Sequence, residues 1–286
     1  MAMFNKILAA VDGSESSLVA LREACRLGRS EKARLVVVAV APRYEGDLGL
    51  VGVKNIQALI VEPWGKAFAE SEKIARAEGV RIETVFEVGE PHERIVATAD
   101  VEECDLIILG AGRLGALWRM VLGSVGARVI AESAQNVLVV PRGTKMGYDR
   151  ILLALAASQT NTAAGDMALN FARSYGAQLI IASVLDTHSR GRWKSPVTAE
   201  DLFQKARESA ARLQGQADAM HVRSESVALQ GKSAQSITEL AKQQDAGMIV
   251  LDDSWGTQSK LFVMPGAIEQ VIRSAPCPVL VVRATR

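Results

Sequence analysis

The chain has 286 residues, of which 49% are hydrophobic and 23% charged, with a formal net charge of +1. Its length exceeds a typical domain of roughly 100–200 residues and predicts two domains, each able to bury a core. The near-neutral charge, with no basic tail or stripe, argues against nucleic-acid backbone binding, and no apolar run approaches the ~20 residues of a membrane span.

The first residues run directly into a short apolar segment without signal-peptide anatomy, so a cytoplasmic protein is expected. Continuous β-rich apolar runs predict strands near 5–11, 34–40, 80–87, 105–109 and 137–140, separated by helical stretches. This alternation predicts an α/β domain with a covered parallel sheet. After the first strand, Leu18, Leu21, Cys25 and Gly28 recur at helical spacing on one face, and Ser14 is placed to cap the helix. A Gly-rich stretch, 42–54, separates the second strand from the second helix; loops of this length are often ligand lids or disordered. Gly143-Thr144-Lys145-Met146-Gly147 reads as a linker. Strands near 149–155, 178–184, 222–228, 247–251 and 279–283 then repeat the scheme. Cys25, Cys104 and Cys277 form no C-x-x-C pair and read as buried, reduced thiols.

The second half is a copy of the first. Lys6-Ile7-Leu8-Ala9-Ala10-Val11 matches Arg150-Ile151-Leu152-Leu153-Ala154-Leu155, and Val137-Leu138-Val139-Val140 matches Val279-Leu280-Val281-Val282. The repeat is about 142 residues, the separation of Val137 from Val279. Such a unit is a whole domain, giving one over 1–143 and a second over 148–286.

Ligands of open parallel sheets sit beyond the carboxyl ends of the strands, where the direction of sheet growth reverses. There the first half offers Asp12-Gly13-Ser14, the stretch Gly110-Ala111-Gly112-Arg113-Leu114-Gly115, and Gly123-Ser124 before a helix containing Val125, Arg128 and Val129. Glycines let backbone N–H groups converge on phosphate oxygens, and a helix starting near Ser124 adds unpaired amides and a positive dipole end. Arg113 offers a charged contact, and Asp12 a ligand for magnesium or a nucleoside contact. The competing reading is that these glycines only turn the chain.

These residues resemble the universal stress protein family in its tandem two-domain form. The resemblance rests on Val11-Asp12-Gly13-Ser14, Gly89-Glu90-Pro91 with Ile95, Asp105-Leu106-Ile107-Ile108-Leu109-Gly110, Leu122-Gly123-Ser124-Val125 and the closing Ala275-Pro276-Cys277-Pro278-Val279-Leu280-Val281-Val282. It implies two tandem Rossmann-like, five-stranded parallel sheets of order 3-2-1-4-5 with helices on both faces. It also implies dimerisation through the last strand, an intramolecular pseudo-dimer of the two halves, and ATP with magnesium in one subgroup. By position, the nucleotide set it implies is Ala10, Val11, Asp12, Val40, Leu109, Gly110, Gly112, Arg113, Gly123, Ser124 and Val125. The family's Gly-x-x-Gly is altered here, since Arg113 stands at its second glycine.

The second half departs further: Ala156 stands for Asp12, Asp252 for Gly110, Pro265 for Gly123 and Gly266 for Ser124. An aspartate repels phosphate and a proline has no N–H to donate, so no nucleotide is expected there. Asp186, His188, Asp252 and Asp253 lie at strand ends as a weak candidate metal set, against the plainer reading of solvated loop residues. His92 and His221 look isolated, and Trp118 and Trp255 read as packing or interface residues. With no P-loop, pyrophosphatase loop or nucleophile elbow, a regulatory nucleotide-binding protein is expected rather than an enzyme. A nucleotide-independent interaction protein is the alternative.

Overall fold

The computed structural model describes residues 2–43, 56–113, 120–121, 123–156, 163–186, 199–253 and 266–283. The chain divides into two compact units, the first built from Met1–Gly115 and Val121–Gly143, the second from Ala116–Met120 and Thr144–Arg286. In chain order the first contains β1 (Lys6–Ala10), α1 (Glu15–Glu31), β2 (Arg34–Ala41), α2 (Ile56–Ala77), β3 (Glu83–Val88), α3 (Pro91–Val101) and β4 (Leu106–Arg113). The two-residue β5 (Met120–Val121), α4 (Ser124–Glu132) and β6 (Asn136–Pro141) follow. The second runs β7 (Arg150–Ala156), α5 (Ala163–Tyr175), β8 (Gln178–Asp186), α6 (Ala199–Ala219), β9 (Ser224–Gly231), α7 (Ser233–Gln243), β10 (Met248–Asp252), α8 (Ala267–Ser274) and β11 (Val279–Val282).

Every pairing within the first unit's main sheet is parallel, in the order β3-β2-β1-β4-β6. The second unit repeats it as β9-β8-β7-β10-β11. Each is the order 3-2-1-4-5 that the resemblance implies. The central strands carry the core: Ile7, Leu8, Val36, Val37, Val38, Leu106, Ile107 and Ile108 are wholly buried, as are Ile151, Leu152, Leu153, Ile249 and Val250. Strands this apolar on successive residues must be covered on both faces, which is why alternation is missing from their sequence.

Helix α1 shows how local chemistry starts an element. Ser14 is its N-cap, in extended conformation, and its Oγ accepts the Ser17 N–H at 3.2 Å. Leu21, Cys25 and Gly28 are buried and Leu18 is half-buried, so the expected face is the core face. At its far end Lys32 takes a left-handed conformation (φ 58), its N–H directed to the Arg29 carbonyl.

One expectation needs correction, and another lies mostly outside the described residues. The 143–147 stretch is only partly a linker: Gly147 belongs to the second unit, where its N–H donates to the Gly247 carbonyl at 3.1 Å. A glycine in a polar run reads as flexible, yet here its lack of a side chain admits a neighbouring strand's backbone. Of the 42–54 segment, all but residues 42 and 43 lies outside the described residues, as do Trp118, Trp255 and His188.

The three cysteines are free and buried, as expected. Burial dominates each: desolvation pushes the thiols of Cys25 and Cys277 up to about 12 and that of Cys104 up to about 11, from an ordinary 9.0. Because the folded values lie above the unfolded one, their contribution to stability is intact below pH 9.0 and is lost as pH rises toward 11–12. Native protein at pH ~8 should therefore withhold all three thiols from a disulfide reagent, and denatured protein should release three. Rapid native labelling of any one would refute its burial.

Candidate functional site

In the first unit β1 lies between β2 and β4, so the sheet grows one way to β3 and the other way to β6. The carboxyl ends beside this reversal are the place for a ligand. Ala10 ends β1, and Val11 continues its pairing, its N–H donating to the Val38 carbonyl at 2.9 Å. Asp12 follows at the surface. Val40, 6% exposed, stands one residue before the end of β2.

The Asp12 loop is a tight hydrogen-bonded turn. Asp12 Oδ1 accepts the Ser14 N–H at 2.9 Å, Gly13 supplies the positive φ of +78°, and the Asp12 N–H donates to Ser17 Oγ at 3.3 Å. Desolvation alone would raise the Asp12 carboxyl. The hydrogen bonds from Ser14, side chain and backbone, with those from Ser17 and the residue's own amide, together outweigh it and hold the carboxyl below its ordinary 3.8. Asp12 is therefore an anion at neutral pH, suited to a cation or to donor groups of a nucleoside, and unsuited to phosphate.

The expected glycine loop after strand four is different in form. Gly110, Ala111, Gly112 and Arg113 belong to β4 itself; Gly110 pairs with Val140 and Ala111 with Pro141, and the Arg142 N–H donates to the Ala111 carbonyl at 3.0 Å. Pairing with β6 overrides the local preference of glycine for turns. Gly110 also has a packing reason to be glycine. A Cβ there would fall 2.4 Å from the Ser16 carbonyl oxygen and 2.7 Å from the Ser17 nitrogen, where α1 crosses β4. Leu109, 5% exposed, precedes it on β4, and Gly112 is half-buried with room for a Cβ, 3.7 Å from Ser16 Oγ. Leu114 and Gly115 lie outside the described residues.

The α4 start matches expectation. Gly123 is its N-cap at φ −59° and ψ 163°, it has no side chain to accept a hydrogen bond from the first turn, and Gly123 and Ser124 are both exposed. Val125 behind them is half-buried. Nothing lies within 4 Å of a Cβ built on Gly123, and its φ is one any residue adopts. Nothing among the described residues therefore calls for a glycine at this cap, where Ser, Thr, Asp or Asn would do better. A side chain is missing where it would stand over the helix's unpaired amides.

Sequence reasoning missed two polar contacts nearby. Glu15, in the first turn of α1, pairs with Arg142 just beyond β6. His92 is not isolated: it packs on α3 against Arg128 and Glu132 of α4. Both join residues far apart in the chain, and only a placed helix pair would reveal them.

The second unit keeps the frame and changes the contents. Gly266 caps α8 at φ −60° and ψ 164°, the same role that Gly123 has, one position later in the repeat. Asp252, 4% exposed, ends β10 at the place of Gly110, and Ala156 ends β7 in place of the Asp12 turn. Asp253 is paired with Arg283 at 3.4 Å. No group of three or more metal-ligating side chains occurs among the described residues, and His188 lies outside them, so nothing in the described geometry supports the candidate metal set.

The sequence pattern of the Universal stress protein family matches residues 3–141 and again 147–283. The chain belongs to this family. It is 32% identical over 152 residues to the universal stress protein YxiE of Bacillus subtilis, covering 48% of this chain and 99% of that protein. It is 33% identical over 146 residues to the universal stress protein MJ0531 of Methanocaldococcus jannaschii, covering 50% and 85%. Among solved structures, a universal stress protein of Archaeoglobus fulgidus covers 98% of both chains with a TM-score of 0.75 at 20% identity, which shows a shared two-domain fold. Two consecutive family matches fit the internal repeat. In the universal stress protein chain described here, no helix among the described residues is long and apolar enough to cross a membrane.

Proposed function

We propose that this universal stress protein is a regulatory nucleotide-binding protein whose first unit holds ATP, with magnesium, and whose second unit serves as a structural or interaction partner. The observation that carries the reading is the α4 start taken together with the Asp12 turn, because Gly266 starts α8 in the same way but the described second unit has Ala156 at the end of β7. Among the described residues Gly123 has neither backbone strain nor a packing neighbour to explain it, and it leaves amides without a side-chain cap at the positive end of a helix. Asp12 and Val40 stand at the neighbouring strand ends, where a nucleoside joined to those phosphates would extend. The reading assigns no hydrolytic step, because no general base or paired carboxylates accompany the site among the described residues. Homodimerisation belongs to the same proposal.

The packing role of Gly110 favours a second reading, a nucleotide-independent interaction protein. If α1 alone accounts for Gly110, the altered Gly-x-x-Gly is no evidence for phosphate. Equilibrium dialysis of the full chain with labelled ATP and magnesium separates the two. Saturable binding below about 1 mM, abolished by Gly123→Val and unchanged by Gly266→Val, is expected. Absence of binding near that concentration would leave the second reading standing. Loss of binding on the Gly266 change alone would move the site to the other unit.

A further inference from the structure

His92 is 5% exposed, and its Nε2 lies 3.3 Å from Arg128 Nη1 and 3.6 Å from Glu132 Oε2. A guanidinium only donates, so the Arg128 contact requires Nε2 as a lone-pair acceptor with the ring proton on Nδ1. Protonating the ring places a hydrogen on Nε2, turns it toward the Glu132 carboxylate, and sets two cations against each other. Arg128 and Glu132 are four residues apart on α4 and so share one face, where the ring meets both. Imidazole is the side chain whose ordinary titration falls between about pH 5 and 8.

The other charged groups on the elements packed around the ring do not join it. Glu93 and Arg94 flank His92 on α3, β2 brings Arg34 at its start, and β3 brings Glu83 and Glu87. None of them forms an ion pair with the imidazole; Glu132 does. Asp100, further along α3, accepts from Gln135 Nε2 at 2.6 Å.

The repeat supplies an internal control. At the corresponding positions the second unit has Ala234, Gln270 and Ser274, and α7 still packs on α8. The helix pair does not need the His–Arg–Glu cluster. The cluster occurs in the unit whose fourth helix begins with the candidate anion site. Helix side chains lean toward the N-terminus, so an Arg128 released from His92 covers the turn that starts at Ser124.

We propose that His92 is a proton-operated latch on Arg128: the neutral ring holds the guanidinium away from the start of α4, and the protonated ring releases it toward bound phosphates. Polyphosphate affinity in the first unit then rises as pH falls. This rests on the reading of that unit as a nucleotide site.

Calorimetric titration of the full chain with ATP and magnesium at about pH 8 and about pH 6 tests it, using wild type, His92→Gln and Arg128→Gln. Glutamine keeps an acceptor for Arg128 and cannot take up the proton, so it also corrects for titration of ATP itself. The wild-type gain in affinity between the two pH values should exceed that of either variant by about fivefold. Equal gains, with binding intact, would overturn the latch. A second measurement does not depend on nucleotide: NMR titration of the His92 ring in the free chain. Arg128→Gln should raise the titration midpoint and Glu132→Gln should lower it. Unmoved midpoints would by themselves overturn the latch, whereas moved midpoints without ATP binding at either pH would establish the two contacts of the ring but refute the nucleotide reading and, with it, the latch.

Discussion

Gly110→Ala is expected to destabilise the first unit by about 3 kcal/mol or more, a larger loss than an ordinary glycine-to-alanine change in a strand. The added methyl would meet backbone, not a yielding side chain: the Ser16 oxygen at 2.4 Å, its carbonyl carbon at 2.5 Å and the Ser17 nitrogen at 2.7 Å. Helix α1 cannot easily retreat, because its first turn is tied down by the Ser14 cap and by Ser17 Oγ donating to the Ser14 carbonyl at 2.9 Å. Nor can β4 shift alone, since Gly110 is in register with Val140 of β6. Gly112→Ala is the control. Its Cβ would make an ordinary contact, 3.7 Å from Ser16 Oγ, and a change under about 1 kcal/mol is expected. Denaturant unfolding of the two variants would decide the matter. Equal stabilities would mean that α1 does not press on β4 as described, and Gly110 would return to the ligand argument.

That contrast shows which parts of the site were legible in the sequence. The strands of each half follow from local apolar patterns that occur twice, so the two halves check each other. The strand order comes from the family resemblance, and the Ser14 cap and buried thiols from single positions. The stretch after Leu109 was misread because glycines are ambiguous: the same residue permits a turn, a phosphate, or a crossing helix. The pairing of Ala111 with Pro141 excludes the turn, and that partner lies 30 residues on. His92 was read as isolated for a related reason. Its partners are on a different helix, 36 residues away in the case of Arg128, and no periodicity links them. Gly123 stood out by position, while its significance comes from the empty space around it.

The second unit contains a glycine pair whose role can be separated from any ligand. Gly247→Ala should destabilise that unit by about 3 kcal/mol and leave ATP binding in the first unchanged. A Cβ on Gly247 would lie 2.5 Å from both the Cα and the oxygen of Gly147, and 2.6 Å from its carbonyl carbon. The approach is fixed from both sides, with the Gly147 N–H donating to the Gly247 carbonyl at 3.1 Å and the Gly247 N–H donating to Arg150 at 2.9 Å. Gly147→Ala should cost less, since its Cβ would stand 3.0 Å from Gly247 Cα and 3.9 Å from the next nearest atom. The first unit meets the same need differently. At the position matching Gly247 it has Asp105, whose carboxylate accepts from the Asn5 N–H at 2.7 Å and the Lys6 N–H at 3.3 Å. One unit thus ties the strand before its sheet centre with a side chain, and the other lets two backbones touch. Thermal unfolding of Gly247→Ala with and without ATP would distinguish the units: a ligand-stabilised transition should persist beside a weakened one. If the ATP-dependent transition fell with the other, the two units would not unfold independently, and stability of the second would be a condition for binding in the first.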